Sequence, residues 1–256
     1  MRVLTVCNQK GGVGKTTIAL LLADTAARGG ARVLFVDLDP QSNATSVLLH
    51  NAAPSVATLA DVLVAPRPGN ALAPLIRRAS WGLDVAPASV GLVSKERNRR
   101  TADEHDLRRL MAPLDETYDL VVVDSPPNLG VLTVNALTAA DDYLVVTDPS
   151  RFALDGIAAC RETAEVVRTY FNPELEPAGV AVNLLDRTLE TERRMDELCD
   201  WSDPVVLTSA VPRRVVVKES FAAGVSLWTV RGHRGADDVC AAAEGLYEEA
   251  VVQRAR

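Results

Sequence analysis

Six residues of this chain, Lys10, Lys15, Thr16, Thr17, Asp39 and Asp124, have types and spacing that invite phosphate chemistry. The segment Gln9-Lys10-Gly11-Gly12-Val13-Gly14-Lys15-Thr16-Thr17 lies between an apolar run and a helical pattern, the context a phosphate-binding loop needs. Gly11, Gly12 and Gly14, with Val13 between them, let backbone N–H groups close on phosphate oxygens. Lys15 supplies a positive charge for β- and γ-phosphates, and the Thr16 hydroxyl can ligate Mg²⁺. The general pattern G-x-x-x-x-G-K-[ST] is met except at its first position, where Gln9 stands. Lys10 is an additional cation close to Lys15, and the two repel. A ligand with several negative charges would reconcile them; a phosphate held by a second subunit is the alternative.

Two acidic strand ends complete the candidate site. Asp37-Leu38-Asp39-Pro40-Gln41 follows one apolar run, and Asp119-Leu120-Val121-Val122-Val123-Asp124 ends another. In doubly wound sheets ligands sit at the carboxyl ends of strands, where Asp39 and Asp124 fall. Mg²⁺ favours carboxylate, water and phosphate oxygens, so Thr16, Asp39 and Asp124 form the candidate metal set, with Asp124 acting directly or at one remove. Asp39 could orient or deprotonate an attacking water. Either acid alone would read equally well as a strand-end or helix-capping aspartate. Beside a phosphate loop they read as a site.

Short β-branched runs alternate with longer helical patterns. Buried strands are expected at Arg2–Cys7, Arg32–Asp37, Asp119–Asp124, Asp142–Thr147 and Gly179–Leu184, with weaker candidates at Leu83–Ala86 and Val205–Leu207. Helices are expected over Lys15–Arg28, Glu104–Leu114, Val131–Ala139, Leu154–Tyr170 and Glu190–Trp201, and in the tail from Ala236 to Val252. The alternation predicts an α/β fold, a doubly wound, mostly parallel sheet with helices on both faces. The Pro- and Gly-rich stretch Ala65–Asn70 reads as a surface loop, because strands of one pattern lie on both sides of it. One domain spanning residues 1–256 is therefore expected.

Composition excludes several classes. Hydrophobic residues make up 48% of the chain, enough for a sizeable core, and the formal net charge of -7 gives no overall basic footprint. Aromatics at 4% argue against a surface that stacks single-stranded bases. Cys7, Cys160, Cys199 and Cys240 form no CxxC pair and read as buried thiols in a reducing compartment. His50, His105 and His233 are too far apart to suggest a metal cluster. No signal segment opens the chain and no apolar run reaches membrane-spanning length, so a soluble cytoplasmic protein is expected.

The runs NQKGGVGKTT, VLFVDLDPQSNAT and YDLVVVDSPPNLGVLTVNAL resemble the ParA/Soj family of DNA-segregation ATPases, within the deviant Walker A group that also includes MinD. GLDVAPASVGL, the stretch around Phe152–Gly156, the Val211-Pro212-Arg213 turn and RGHRGADD have counterparts there too, so the likeness covers nearly the whole chain. The resemblance implies a role for each matching residue. Lys10 matches the signature lysine that crosses a nucleotide-sandwich dimer to the partner's phosphates. Lys15 matches the Walker A lysine, Thr16 the Mg²⁺ ligand and Thr17 a phosphate-binding hydroxyl. Asp39 matches the acid that positions the hydrolytic water, and Asp124 the Walker B acid. Asn183, Pro212 and Arg213 resemble positions that hold the adenine. The implied cycle uses ATP, ADP and Mg²⁺: ATP binding, homodimerisation, non-specific binding of double-stranded DNA, and release when a ParB-like activator stimulates hydrolysis. It also implies a protein that is nucleoid-associated when ATP-bound. Lys218-Glu219-Ser220 and Asp148-Pro149-Ser150 depart from the family's usual Ser-Glu-Ala and Pro-x-Gln-x-Glu.

Candidate DNA contacts are Arg187, Arg193, Arg194, Arg213, Arg214 and Lys218, which could hold phosphates without reading bases, although Glu190, Glu192 and Glu197 are interleaved. With no helix-turn-helix ahead of the phosphate loop, sequence-independent contact is the expectation. A second basic group, Lys95, Arg97, Arg99 and Arg100, reads as ordinary charged surface. A MinD-like membrane cycle would need a basic amphipathic tail, and AAAEGLYEEAVVQRAR has few basic residues and little bulk. An iron–sulfur ATPase of the nitrogenase reductase type needs cysteines after the second acidic strand, and SPPNLGVL has none. A positioning ATPase for a protein cargo uses the same switch and stays open as an alternative.

Overall fold

Strands form where apolar residues run without a polar face. The computed structural model describes residues 1–50, 57–64, 72–97, 103–233 and 235–255. Its strands are β1 (Arg2–Cys7), β2 (Val33–Asp37), β3 (Arg77–Arg78), β4 (Asp84–Ala86), β5 (Leu120–Asp124), β6 (Asp142–Thr147) and β7 (Glu176–Val182), in the spatial order β3-β4-β2-β5-β1-β6-β7. All neighbours pair in parallel except β3 with β4. The helices are α1 (Lys15–Arg28), α2 (Asn43–Leu48), α3 (Leu59–Leu63), α4 (Val93–Arg97), α5 (Asp106–Met111), α6 (Val131–Ala139), α7 (Ala153–Tyr170), α8 (Leu189–Cys199), α9 (Val215–Ala222) and α10 (Ala236–Tyr247).

Alternation along the strands builds two cores. On β5, Leu120 and Val122 face the layer of α1 and α10, while Val121 and Val123 face that of α5, α6 and α7. A parallel sheet needs apolar side chains on both faces, and LVVVD supplies them. The register then brings strand ends together: Asp37 lies opposite Asp124, Val6 opposite Asp124, and Cys7 opposite Val145. Everything that follows β1, β2, β5 and β6 therefore emerges along one edge of the molecule, where a doubly wound sheet holds its ligand.

Several expectations are corrected. β2 starts at Val33, because the Arg32 backbone N–H and guanidinium are held by Asp119. β7 runs from Glu176 to Val182, and Leu184, in the left-handed region at φ 59°, turns the chain away before a longer strand can form. Val205–Leu207 makes only an isolated bridge to Val180. The helix expected over Glu104–Leu114 is cut to α5 between two 3₁₀ turns, with Pro113 in the second. The β-branched run Val215-Val216-Val217 folds as α9, whose Val217 and Ser220 are buried, so tertiary packing overrides its strand propensity. Past α10 the tail widens into a π turn over Glu248–Val252. Cys199 is exposed, unlike the buried Cys7, Cys160 and Cys240.

Lys95 is not surface charge. It is 1% exposed and its ammonium lies 2.6 Å from Asp103 Oδ1, with Asp106 Oδ2 as a second partner at 2.5 Å. Burial of that ammonium is tolerable only because carboxylates surround it. Arg99 and Arg100 of the same group, the loop Ala65–Asn70 and Arg234 lie outside the described residues.

Candidate phosphate-binding site

The loop between β1 and α1 is shaped by glycine and closed by two asparagines. Gly12 and Gly14 sit at φ 80° and 88°, a region costly for side chains. At Gly14 a Cβ would come within 2.0 Å of Asn183 Nδ2, so glycine is required twice over. The Asn183 amide, 1% exposed at the end of β7, donates to the Val13 carbonyl at 2.9 Å and fixes the loop's outer wall. Asn8 fixes its start. Its Nδ2 donates to the Val146 carbonyl and its Oδ1 accepts from the Lys10 N–H, at 2.8 and 2.9 Å.

Lys15 opens α1 and points back under the loop. Its Nζ donates to the Lys10 carbonyl at 3.0 Å, and the residue is 6% exposed. Burial lowers the pKa of its ammonium, against the opposing pull of Asp124 and Asp39. Asp124 is the least satisfied group in the site: it is 1% exposed, and among the described residues neither carboxylate oxygen has a hydrogen-bond partner. Burial, followed by the charge of Asp37, pushes its pKa well above the usual carboxylate range, against the nearby Thr16 hydroxyl and Lys15. Asp37 is raised to about 6 by burial despite bonds from the Thr45 N–H and hydroxyl at 2.8 and 2.6 Å. Asp39 is 7% exposed, and its Oδ1 accepts from the Gln41 N–H at 2.9 Å. A Cβ at Gly11 would lie 4.0 Å from Pro127 Cβ of the loop after β5, an ordinary contact.

The phosphate loop, Thr16, Asp39 and Asp124 are thus drawn together with Asp37 of the same acidic cluster, and Asn8 and Thr45 join them unforeseen. Asp37 carried a signal, since it ends the same apolar run that precedes Asp39. Asn8 and Thr45 carried none, because their partners are 138 and 8 residues distant in the chain.

A family model described as an AAA domain matches residues 1–177. The chromosome partitioning protein ParA of Caulobacter vibrioides is 37% identical over 243 residues, covering 90% of this chain and 88% of that one. The chromosome-partitioning ATPase Soj of Thermus thermophilus is 38% identical over 231 residues, covering 89% and 87%. The chain belongs to the ParA/Soj family of partition ATPases. Among solved structures, a cobyrinic acid a,c-diamide synthase from Mycobacterium smegmatis with bound ADP and magnesium is 33% identical, with a TM-score of 0.77 over 90% of this chain and 96% of that one. Cyanothece apo McdA, at 22% identity, shares the fold with a TM-score of 0.84, covering 97% and 99% of the two chains.

In this ParA/Soj chain the remaining adenine candidates, Pro212 and Arg213, pair with the segment that follows Asn183. The Leu185 N–H donates to the Val211 carbonyl and the Arg213 N–H to the Leu185 carbonyl, at 3.1 and 3.0 Å, which brings Pro212 and Arg213 beside Asn183. The bond to Val13 uses one of the two Asn183 Nδ2 hydrogens, which leaves the other hydrogen and Oδ1 for a base. The six basic candidates divide. Arg213 pairs with Asp186, Arg214 with Asp238, and Arg194 with Glu190 and Glu197. Arg187, Arg193 and Lys218 are exposed and make no ion pair among the described residues. Arg187 and Arg214 line one groove with Val215 and Glu219 of α9, so the 187 and 214 segments do meet.

Proposed function

We propose that this protein is a partition ATPase whose protomer binds MgATP, closes into a homodimer over two nucleotides, holds double-stranded DNA through its backbone, and lets go when a ParB-type partner stimulates hydrolysis. The observation that carries the reading is Asp124. A carboxylate so deeply buried at the mouth of a glycine-shaped loop, with both oxygens unpartnered among the described residues, is a place where a cation would be stabilised. Oxygen donors of hard character suit Mg²⁺, so Thr16 and Asp124 would hold it, with Asp39 close by. Bound there, the ion would offset the charge of the β- and γ-phosphates.

The chain's own groups supply the rest. Backbone N–H groups of residues 11–17, the Lys15 ammonium and the Thr17 hydroxyl bind phosphate oxygens. Lys15 keeps its loop carbonyl bond until a stronger anionic acceptor replaces it. Asp39 holds the attacking water in line and takes up its proton density. Pro212 and Arg213, with Asn183 beneath them, border the base. Lys10 reaches the partner's phosphates, and Arg187, Arg193 and Lys218 meet DNA phosphates more readily than their paired neighbours do. Two relatives support the reading: the mycobacterial synthase holds ADP and magnesium, and the Caulobacter ParA is a chromosome partitioning protein. In this reading the protein works in the cytoplasm and sits on the nucleoid while ATP is bound.

The test combines two measurements. Calorimetry of purified protein should register saturable MgATP binding, and immobilised non-specific DNA should retain the protein with ATP but not ADP, with retention fading as salt rises. Equal retention in both nucleotides would remove the switch from this protein.

A further inference from the structure

We infer that Glu249 is a positioning residue for nucleotide binding: it holds Thr208 and Ser209 so that Pro212 and Arg213 arrive at the border of the base. The inference deepens the proposed reading of those last two residues and rests on it. The Thr208 N–H donates to Glu249 Oε2 at 2.7 Å. Glu249 Oε1 accepts from the Thr208 hydroxyl, the Ser209 N–H and the Ser209 hydroxyl, at 2.9, 3.0 and 2.5 Å. Four donors from two consecutive residues thus converge on one carboxylate, 41 and 40 residues further along the chain.

The held segment leads directly to the candidate base contacts. Leu207 and Val211 are pinned to β7, with the Leu207 N–H on the Val180 carbonyl and the Val211 N–H on the Val182 carbonyl, at 2.9 and 2.8 Å. Between those pins the chain bends at Thr208, which is exposed, and there the carboxylate sets its path. Just past Val211, Pro212 bridges to Leu185, and the Arg213 N–H donates to the Leu185 carbonyl at 3.0 Å. Leu185 follows Asn183 by two residues, so a shift at Thr208 and Ser209 is carried to the wall of the base site.

The other side of the contact is fixed to the sheet. Glu249 lies in the π turn over Glu248–Val252, a conformation that is rare and gathers at functional positions. Ala250 and Val251 of that turn are buried in the core shared with α1. The Arg2 guanidinium of β1 donates to the Val251 carbonyl, and Arg2 and Arg254 both pair with Asp142 of β6, at 2.8 and 3.1 Å. One turn before Glu249, Gly245 leaves room for the loop: a Cβ there would lie 2.3 Å from Ser209 Oγ. Burial would raise the Glu249 pKa, but the bonds from Ser209 and Thr208 outweigh it and hold the carboxyl below its usual value, so it stays an ionised acceptor. The phosphate end of the site is built from other elements, the loop after β1 and the ends of β2 and β5. Loss of this contact should therefore be felt at the base and not at the phosphates.

The experiment is calorimetry of the full-length protein with MgATP and with magnesium tripolyphosphate, which carries the phosphates without the base. Wild type, Glu249→Ala, Glu249→Gln and Ser209→Ala are compared, with circular dichroism to confirm that each is folded. Glu249→Ala should weaken MgATP binding about tenfold and leave tripolyphosphate binding unchanged, because the lost bonds are charge-assisted and act on the base wall alone. Glu249→Gln and Ser209→Ala each keep part of the contact and should fall between it and wild type; should Glu249→Ala not fold, these two carry the same comparison. In steady state the KM for ATP should rise with kcat unaltered, a split that general destabilisation does not produce. Unchanged MgATP affinity in the variants, or equal losses for both ligands, overturns this inference alone. If wild type binds MgATP no more tightly than tripolyphosphate, the assignment of Pro212 and Arg213 to the base falls, and the inference with it.

Discussion

Lys15, Asp37, Asp39 and Asp124 crowd a buried volume in which charges do not balance without a ligand. Burial lowers the basicity of the lysine and raises the pKa of Asp37 and Asp124, the direction expected when charged forms lose water. A triphosphate with its metal would add charge of both signs to the place where each is short. Asp39 differs from its neighbours in being held by a single backbone N–H, that of Gln41, which leaves it able to take another partner. Lys15→Ala should therefore weaken MgATP affinity by about a hundredfold or more, because charge-assisted bonds to phosphate disappear. Asp39→Ala should bind MgATP as wild type does, with turnover reduced by about a hundredfold. Calorimetry and phosphate release separate the two. Unaltered turnover in Asp39→Ala would take that acid out of the reaction.

The phosphate loop works as an element because other elements fix it. Asn183 from the end of β7 holds Val13, and Asn8 links the loop to β6. Gly14 is the pivot. An alanine there would need the left-handed backbone and would drive its methyl into Asn183. Gly14→Ala should cost about 2 kcal/mol or more of stability, from backbone strain and from the broken Asn183 bond. Urea unfolding monitors the change, and MgATP binding should fall with it. Gly30→Ala offers a control: its φ is similar, at 90°, but among the described residues nothing lies within 4 Å of its would-be Cβ, so only the backbone penalty applies. Equal destabilisation at the two sites would show that Asn183 contributes nothing to the shape of the loop.

At the scale of the whole molecule, a chain with net charge -7 has to concentrate cations locally if it is to hold DNA. Three of its six candidate residues are already neutralised by Asp186, Asp238, Glu190 and Glu197. Arg187→Ala and Lys218→Ala should each reduce the slope of log affinity against log salt by about 0.9 for every DNA phosphate the missing cation had neutralised. Arg194→Ala should leave that slope nearly unchanged, since its charge is spent within α8. The measurement is DNA retention by the ATP-bound protein across a salt series. A slope equally altered by all three would mean that the ion pairs open on DNA.

Much of this architecture is legible in one dimension. β5 announces itself because LVVVD has no polar face, and the phosphate loop because glycine, lysine and threonine at that spacing serve few other purposes. Those are local properties, carried by neighbours in the chain. Lys95 and α9 escape such a reading for the opposite reason. Nothing in KER or RVVV reveals which carboxylates or apolar walls wait in the third dimension, and both the burial of a cation and the coiling of valines depend on them. The ion pair of Lys10 with Asp148 is of the same kind. Its partners lie 138 residues apart, and only the parallel pairing of β1 with β6 makes them neighbours.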